Sequence, residues 1–328
     1  MRKFFINTLA VAIIAATLPA RAQEYPSRII RVIVPFPPGG VLDGITRAVT
    51  ERLRPILGQS VLLENKGGAG GTIGLETCLK SPPDGYTFCA VTVEQVTSRA
   101  WLEPDQWEKY KDLQPVTQLV QSKGVVYARA DLPANNLDDL ARLAANQPGK
   151  LNYASFGWGS APHLFFEWLN TEKKIDIYHV PMKSAVDIMN EATAGRMDLS
   201  YVTTGFARPH IEAGKVKALA VLGAKRSPLL PTAPSLGELG LDFPYEGGWF
   251  ALMAPPGIEA STLKKFHDAI KVVLGSEDYR QKFLEPQAYE AIGNSPSEFA
   301  SVLMRDREKA QTLVRLANAK PRRDGEKP

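Results

Sequence analysis

Two cysteines and four histidines among 328 residues leave little material for metal or covalent chemistry. His163, His179, His210 and His267 stand at no metal-ligand spacing, and no cysteine joins them. No metal and no cofactor is therefore expected. The glycine-rich stretches are not followed by Gly-Lys-Ser/Thr and do not fit G-x-G-x-x-G, which argues against a nucleotide. No G-x-S-x-G occurs, so an esterase elbow is missing. The body of the chain holds no Lys/Arg-rich run, so nucleic acid is not an expected partner. After the first residues, no apolar stretch reaches the roughly 20 residues that a membrane span needs.

Those first residues differ from the rest. Arg2 and Lys3 precede an uncharged stretch from Phe4 to Pro19, and Ala20-Arg21-Ala22 follows. A basic start, an apolar middle and an A-x-A end make a secretory signal peptide over residues 1–22. No cysteine follows, so a lipid anchor is not expected. Removal of Met1 to Ala22 lowers Lys+Arg from 39 to 36 against 35 Asp+Glu, and the formal charge from +4 to +1. The mature chain would begin at Gln23, outside the cytoplasm. Its length suits two domains of ordinary size, and 44% hydrophobic residues can build their cores. The tail "AKPRRDGEKP" is nearly free of apolar residues and is expected to fray.

What is present is a repeated plan of strand, glycine-rich turn and helix. "RIIRVIVPF" is rich in Ile and Val, as a strand buried on both faces would be. From Val41 the apolar residues Val41, Ile45, Val49 and Leu53 recur every fourth position and make one helical face. "QSVLLENK" is a second strand, "GGAGGTIGLETCLKS" a second turn and helix, and "GYTFCAVTV" a third strand. This β-α-β-α-β start predicts a mostly parallel sheet with flanking helices. A strand through "VTQLVQSKGVVYARADL" leads into a second unit of the same kind. "EQVTSRAWLEPDQWEKYKDL" shows no clear period. Asn136 caps a helix, and Ser295 with Glu298 makes a capping box.

Ligands of parallel sheets bind at the carboxyl ends of the strands, where the glycine-rich turns lie. In "VPFPPGGVLDGITR" the prolines Pro37 and Pro38 stiffen the turn. Gly39 and Gly40 then let a ligand approach the backbone closely. The helix start beyond them offers unpaired N–H groups and about half a positive charge, an anion site that needs no cation. Asp43, one turn in, can satisfy amides there. A tight connection without a ligand fits this stretch equally. "NKGGAGGTIG" repeats the arrangement with Gly70 and Gly71. "YASFGWGSAPHLFFEWL" repeats it with Ser155, Gly159 and Ser160. His163 is expected to orient that last loop or to meet a ligand, and Phe156 and Trp158 either stack on a ligand or pack. Lys183 is either a carboxylate contact or a solvated lysine. On this reading Gly39→Val removes binding by filling the anion's place. Cys78 and Cys89 flank a Pro-Asp-Gly turn. In an oxidising compartment they form a disulfide, the alternative being two buried thiols.

Together these stretches resemble a known family. "YPSRIIRVIVPFPPGG" with Asp43 after it, "GQSVLLENKGGAGGTIG", "PPDGYT", "KDLQPVTQL", "PGKLNYASFGWGSAPHLFFEWL", "HVPMKSAVD", "AGRMDLSYV" and "WFALMAPPGI" span nearly the whole mature chain in family order. The chain resembles the substrate-binding proteins of tripartite tricarboxylate transporters, the Bug family of periplasmic solute receptors. The resemblance implies a two-domain α/β periplasmic-binding-protein fold of the Venus-flytrap type. One domain would comprise residues 23–124 and 248–328, the other residues 125–247, with the ligand cleft between them. It implies a non-catalytic, monomeric receptor for a small carboxylated solute, a di- or tricarboxylate or an aromatic acid. Its partners would be membrane permease subunits or a sensor kinase. One wall would come from Phe36, Pro37, Pro38, Gly39 and Gly40 with Asp43, from Gly70 and Gly71, and from Thr92. The other would come from Ser155, Gly159, Ser160, His163, Met182, Lys183 and Thr203. The family usually reads Val-Pro-Tyr-Lys-Gly where this chain has Val180, Pro181, Met182, Lys183 and Ser184. The stretch after Thr92 also departs from the family pattern. An enzyme using Ser160 and His163 is the remaining reading, and no acid-base-nucleophile set supports it.

Overall fold

A computed structural model describes residues 24–245 and 247–318. The signal peptide, its cleavage site and the charged tail lie outside the described residues.

Two sheets share the chain. The first contains β1 (Ile30–Val34), β2 (Val61–Asn65), β3 (Thr87–Thr92), β4 (Gln114–Gln121), β10 (Trp249–Ala254) and β11 (Glu290–Ala291), in the order β11-β4-β10-β3-β1-β2. The second contains β5 (Gly124–Arg129), β6 (Asn152–Ser155), β7 (Tyr178–Pro181), β8 (Leu199–Thr203) and β9 (Val216–Val221), in the order β7-β6-β8-β5-β9. The pairs β1–β2, β1–β3, β6–β7 and β6–β8 are parallel, as β-α-β units require. The remaining pairs are antiparallel, so both sheets are mixed rather than mostly parallel. The reason lies in the connections. A parallel neighbour needs a crossover, whereas β4, β5 and β10 come from or lead to the other sheet.

The stretch read as one strand is therefore two. β4 ends at Gln121 in the first sheet, and β5 starts at Gly124 in the second. At this passage the Ser122 amide and hydroxyl both donate to the Gly248 carbonyl at 2.9 Å, tying the outward and return strands together.

Helices cover both faces of each sheet. α1 (Val41–Thr50) follows β1, and α2 (Thr72–Leu79) precedes β3. After β3 come two single turns, α3 (Val93–Val96) and α4 (Arg99–Leu102). They are too short to show a period. The second sheet carries α5 (Leu137–Asn146), α6 (Ala161–Lys173) after β6, α7 (Ala185–Thr193) after β7 and α8 (Thr204–Glu212) after β8. α9 (Ala260–Leu274) and α10 (Pro296–Asn318) follow β10.

β1 is buried on both sides, with only Arg31 exposed. Ile30, Val32 and Val34 meet Leu42, Ile45 and Val49 of α1 and Phe266 and Ile270 of α9. Ile33 meets Leu75, Cys78 and Cys89 on the other face. Cys78 and Cys89 are joined in a disulfide, Cα atoms 5.9 Å apart, which fixes α2 to β3. In the second sheet Tyr153 and Val126 pack on Leu140 of α5 and Phe165, Phe166 and Leu169 of α6. α10 touches both units, Phe299 and Leu303 on the first and Leu313, Val314 and Ala317 on the second. Burying a side chain of that size stabilises by about 1.5–3 kcal/mol, so this helix ties the two units together. No helix among the described residues is long and apolar enough to cross a membrane.

Candidate functional site

A cleft opens between the sheets. Its walls are the segments that leave β1, β3, β6 and β7, the end of β8, and the strands crossing at Ser122 and Gly248. Of the residues named from the sequence, Phe36, Pro37, Gly40, Gly70, Thr92, Gly159, Ser160, Lys183 and Thr203 line it. Pro38, Gly39, Asp43, Gly71, Ser155, His163 and Met182 lie outside the lining.

Asp43 is only 4% exposed and acts on the turn itself. Its carboxylate accepts from the Gly39 amide at 3.1 Å, Asn65 Nδ2 at 3.0 Å and Arg47 Nη2 at 3.1 Å. Asn65 Nδ2 also donates to the Phe36 carbonyl at 3.0 Å. Burial pushes the Asp43 carboxyl up, but these bonds outweigh it and hold the group below its usual range. The Gly39 amide is thus already used. A Cβ on Gly39 would meet no atom within 4 Å, and its φ of +84° disfavours any side chain. Gly39→Val would strain the turn instead of filling the cleft. The open position is Gly40, the N-cap of α1, with φ −78° and ψ 173° and no side-chain cap over the helix start. Gly40, Val41 and Leu42 all line the cleft.

The start of α6 faces the cleft from the other sheet. Ser160 is its N-cap, but the Ser160 hydroxyl donates to the Gly157 carbonyl at 2.7 Å. Pro162 has no N–H to offer. The carboxyl-bearing Glu94 of α3 lines the cleft beside Ala161. Burial pushes that carboxyl up, against the pull of the Glu94 amide, the Thr92 hydroxyl, the Ala161 amide and the Arg99 charge. The other helix starts at the cleft are satisfied as well. Thr92 and Gln95 form a capping box on α3, Ser184 accepts from the Asp187 amide on α7, and the Thr204 amide of α8 donates to the Lys123 carbonyl.

His163 and Ser155 are wholly buried behind this wall. His163 Nδ1 accepts from the Gly159 amide at 3.2 Å, and its ring packs at a tilt against Trp158, centroids 4.3 Å apart. Ser155 Oγ lies 2.6 Å from His179 Nε2. Burial pushes both imidazoles down, His179 to about 4, so both are neutral at neutral pH. His163 is therefore bonded to its own loop, behind the lining and not in it as a ligand contact. Ser160 and His163 make no nucleophile-base pair, since each is bonded to the loop backbone. Gly71 is close-packed against Pro35 and Gln95, and Met182 packs on the core of the second sheet.

Residues 45–318 match the family model described as the tripartite tricarboxylate transporter family receptor. The chain belongs to this family. Its members are periplasmic solute-binding receptors. A UPF0065 protein of Bordetella pertussis is 34% identical over 261 residues, covering 80% of this chain and 81% of its own. Two solved structures share the architecture. R. palustris Rpa4515 with adipate is 27% identical with a TM-score of 0.85, covering 90% of this chain and 99% of its own. MatC (Rpa3494) from Rhodopseudomonas palustris with bound malate is 26% identical with a TM-score of 0.81, covering 88% of this chain and 100% of its own.

In this receptor the most polar part of the cleft comes from the segment that the sequence reading left open. Glu94, Gln95, Ser98, Arg99, Leu102 and Glu103 all line it. Arg99 Nη1 donates to the Ala69 carbonyl at 3.1 Å and to Thr72 Oγ1 at 3.2 Å, and pairs with Glu103 at 3.2 Å. The Ser98 hydroxyl crosses to the Gly159 carbonyl at 2.8 Å. A cation thus stands beside the Gly70 turn, where the sequence reading expected peptide dipoles alone. The rest of the lining is largely apolar and aromatic, with Phe36, Phe156, Trp158, Tyr201, Trp249 and Phe250. The charges of the 99–103 pair were visible in the sequence, but their direction depends on two single-turn helices that only tertiary contacts orient.

Proposed function

We propose that this chain is a periplasmic receptor that captures a small carboxylated solute between two lobes, residues 23–124 with 248–328 and residues 125–247. The solute's carboxylate would sit at the start of α1, against the amides around Gly40 to Leu42, with Arg99 as the nearest guanidinium in the cleft. Phe36, Pro37, Gly70 and Thr92 would complete that wall, and Gly159, Ser160, Lys183 and Thr203 would face it. The observation that carries this reading is the uncapped start of α1 in the cleft, on a turn that Asp43 pins from behind. Adipate and malate in the two neighbours support a carboxylate as the ligand. Binding would shift the lobes toward a closed state around the crossing at Ser122 and Gly248. The loaded receptor would then deliver its solute to a membrane permease of the tripartite type. Sensing through a kinase uses the same pocket.

The test is a thermal-shift and calorimetric screen of small carboxylates on the purified mature protein. Saturable binding without product formation is the expected result. Turnover of an ester or amide would point to a hydrolase instead, and failure of every acid to bind would end the receptor reading.

A further inference from the structure

The segment after β3 touches both walls of the cleft. Side-chain bonds fix it to the Gly70 turn and to α10. Arg99 Nη1 donates to the Ala69 carbonyl and to Thr72 Oγ1, Trp101 Nε1 to the Arg307 carbonyl at 3.0 Å, and Arg307 Nε to the Val96 carbonyl at 2.9 Å. From this mount two side chains reach the second unit. The hydroxyl of Ser98, a buried residue, donates to the Gly159 carbonyl at 2.8 Å. Leu102 packs on the core of the second sheet, against the α-carbon of Gly159. Gly159 has a φ of +75°, and a Cβ there would run into Leu102 Cδ1, so only glycine lets the two units approach this closely. The Ser98 hydroxyl also has a second acceptor, the Glu94 carbonyl one turn back, at 3.2 Å. It holds one hydrogen for two acceptors, one on its own segment and one across the cleft. Ser98, Leu102 and Gly159 all line that cleft.

We propose that Ser98 and Leu102 form the closure latch of this receptor, positioning residues that hold the two lobes together across the cleft and set how long a solute stays. The proposal rests on the receptor reading above and adds the means of its closure. With the lobes together, the Ser98 hydrogen sits on the Gly159 carbonyl, the shorter of its two bonds, and Leu102 is shielded between the units. As the lobes part, the hydroxyl falls back on the Glu94 carbonyl, a local bond that serine makes readily in a helical turn. Opening therefore leaves no unpaired donor behind, and the Gly159 carbonyl meets water instead. The cost is one neutral hydrogen bond and the exposure of one leucine face. That is small enough for a bound acid to shift the balance between the two positions.

The test compares the unchanged protein with Ser98→Ala and Leu102→Ala, first by small-angle scattering without ligand. Each variant should show a larger radius of gyration, because more molecules stand open. Stopped-flow kinetics with adipate, malate and benzoate follow. For every acid that binds, the dissociation rate should rise about tenfold in Ser98→Ala, from the loss of one hydrogen bond, while the association rate stays within about threefold. A side chain that only touched the solute would weaken binding and leave the ligand-free shape unchanged. Unchanged scattering in the folded variants therefore overturns the proposal even where affinity falls, and an unchanged dissociation rate in Ser98→Ala overturns it as well. Alanine suits a helical position, and the two variants remove different contacts, so if one folds poorly the other decides. If none of the three acids binds the unchanged protein, the receptor reading fails, and scattering still decides whether these side chains hold the lobes.

Discussion

The starts of α1 and α6 are built from the same parts. Each follows a buried strand and a glycine-rich turn, and each faces the cleft from its own sheet. Yet at α1 the acidic side chain, Asp43, binds the turn from behind and leaves the helix start open. At α6 the Ser160 hydroxyl turns back to the Gly157 carbonyl and Pro162 offers no N–H, so the loop closes on its own helix start. The same local parts therefore leave one helix start open to the cleft and turn the other's cap back on its own loop.

The contrast breaks most readily at Gly40. Its backbone is extended, so valine is tolerated there, while the side chain enters the cleft. Gly40→Val should weaken carboxylate binding by roughly 100-fold, about 2.8 kcal/mol. Its melting temperature should stay close to that of the unchanged protein. Calorimetry and a thermal melt check both. Asp43→Ala attacks the same turn from behind. It leaves the Gly39 amide and Arg47 without this acceptor and Asn65 with only the Phe36 carbonyl, and should lower the unfolding free energy by about 2–3 kcal/mol, read from a urea titration.

Acid sharpens the comparison, because the two walls titrate differently. His179 behind α6 is held down to about 4 by burial, and His163 is pushed down as well. The unfolded chain protonates these rings near pH 6.5, while the folded one resists. Their contribution is thus complete above about pH 6.5 and is lost as pH falls through the folded value. Asp43 is also depressed, but its contribution persists until pH falls below the ordinary carboxylate range near 3.8. Between pH 6.5 and 4.5 the unfolding free energy should fall by about 1–3 kcal/mol. Hydrogen exchange should rise first in residues 155–163 and remain slow in residues 39–47. Equal loss of protection in both walls would erase the distinction. The smallest effect is expected from Trp158→Ala, which removes an aromatic lining group and the partner of His163. It should weaken an aromatic acid about tenfold, or 1.4 kcal/mol.

The α1 wall was legible because its signals are local. An Ile/Val run, two prolines, two glycines and a four-residue apolar repeat dictate strand, stiff turn and helix. The turn could be set at the sheet's edge on that ground; the family resemblance named its residues, of which Phe36, Pro37 and Gly40 line the cleft while Pro38 and Gly39 lie on the turn's outer edge. The α6 wall was legible as backbone but not as chemistry. Glu94, which lines the cleft beside it, lies 67 residues away from Ala161 in sequence and sits on a four-residue helix that has no periodic signature. Arg99 and Glu103 were hidden for the same reason. The reversed strand directions escaped because the switch of sheet occurs at Ser122-Lys123, inside what reads as one continuous strand.

The most direct measurement is a crystal structure with the tightest-binding acid, refined far enough to place the carboxylate. The account predicts its oxygens within hydrogen-bond distance of the amides at Gly40 to Leu42. A carboxylate on the start of α6, with the start of α1 covered by protein, would contradict it.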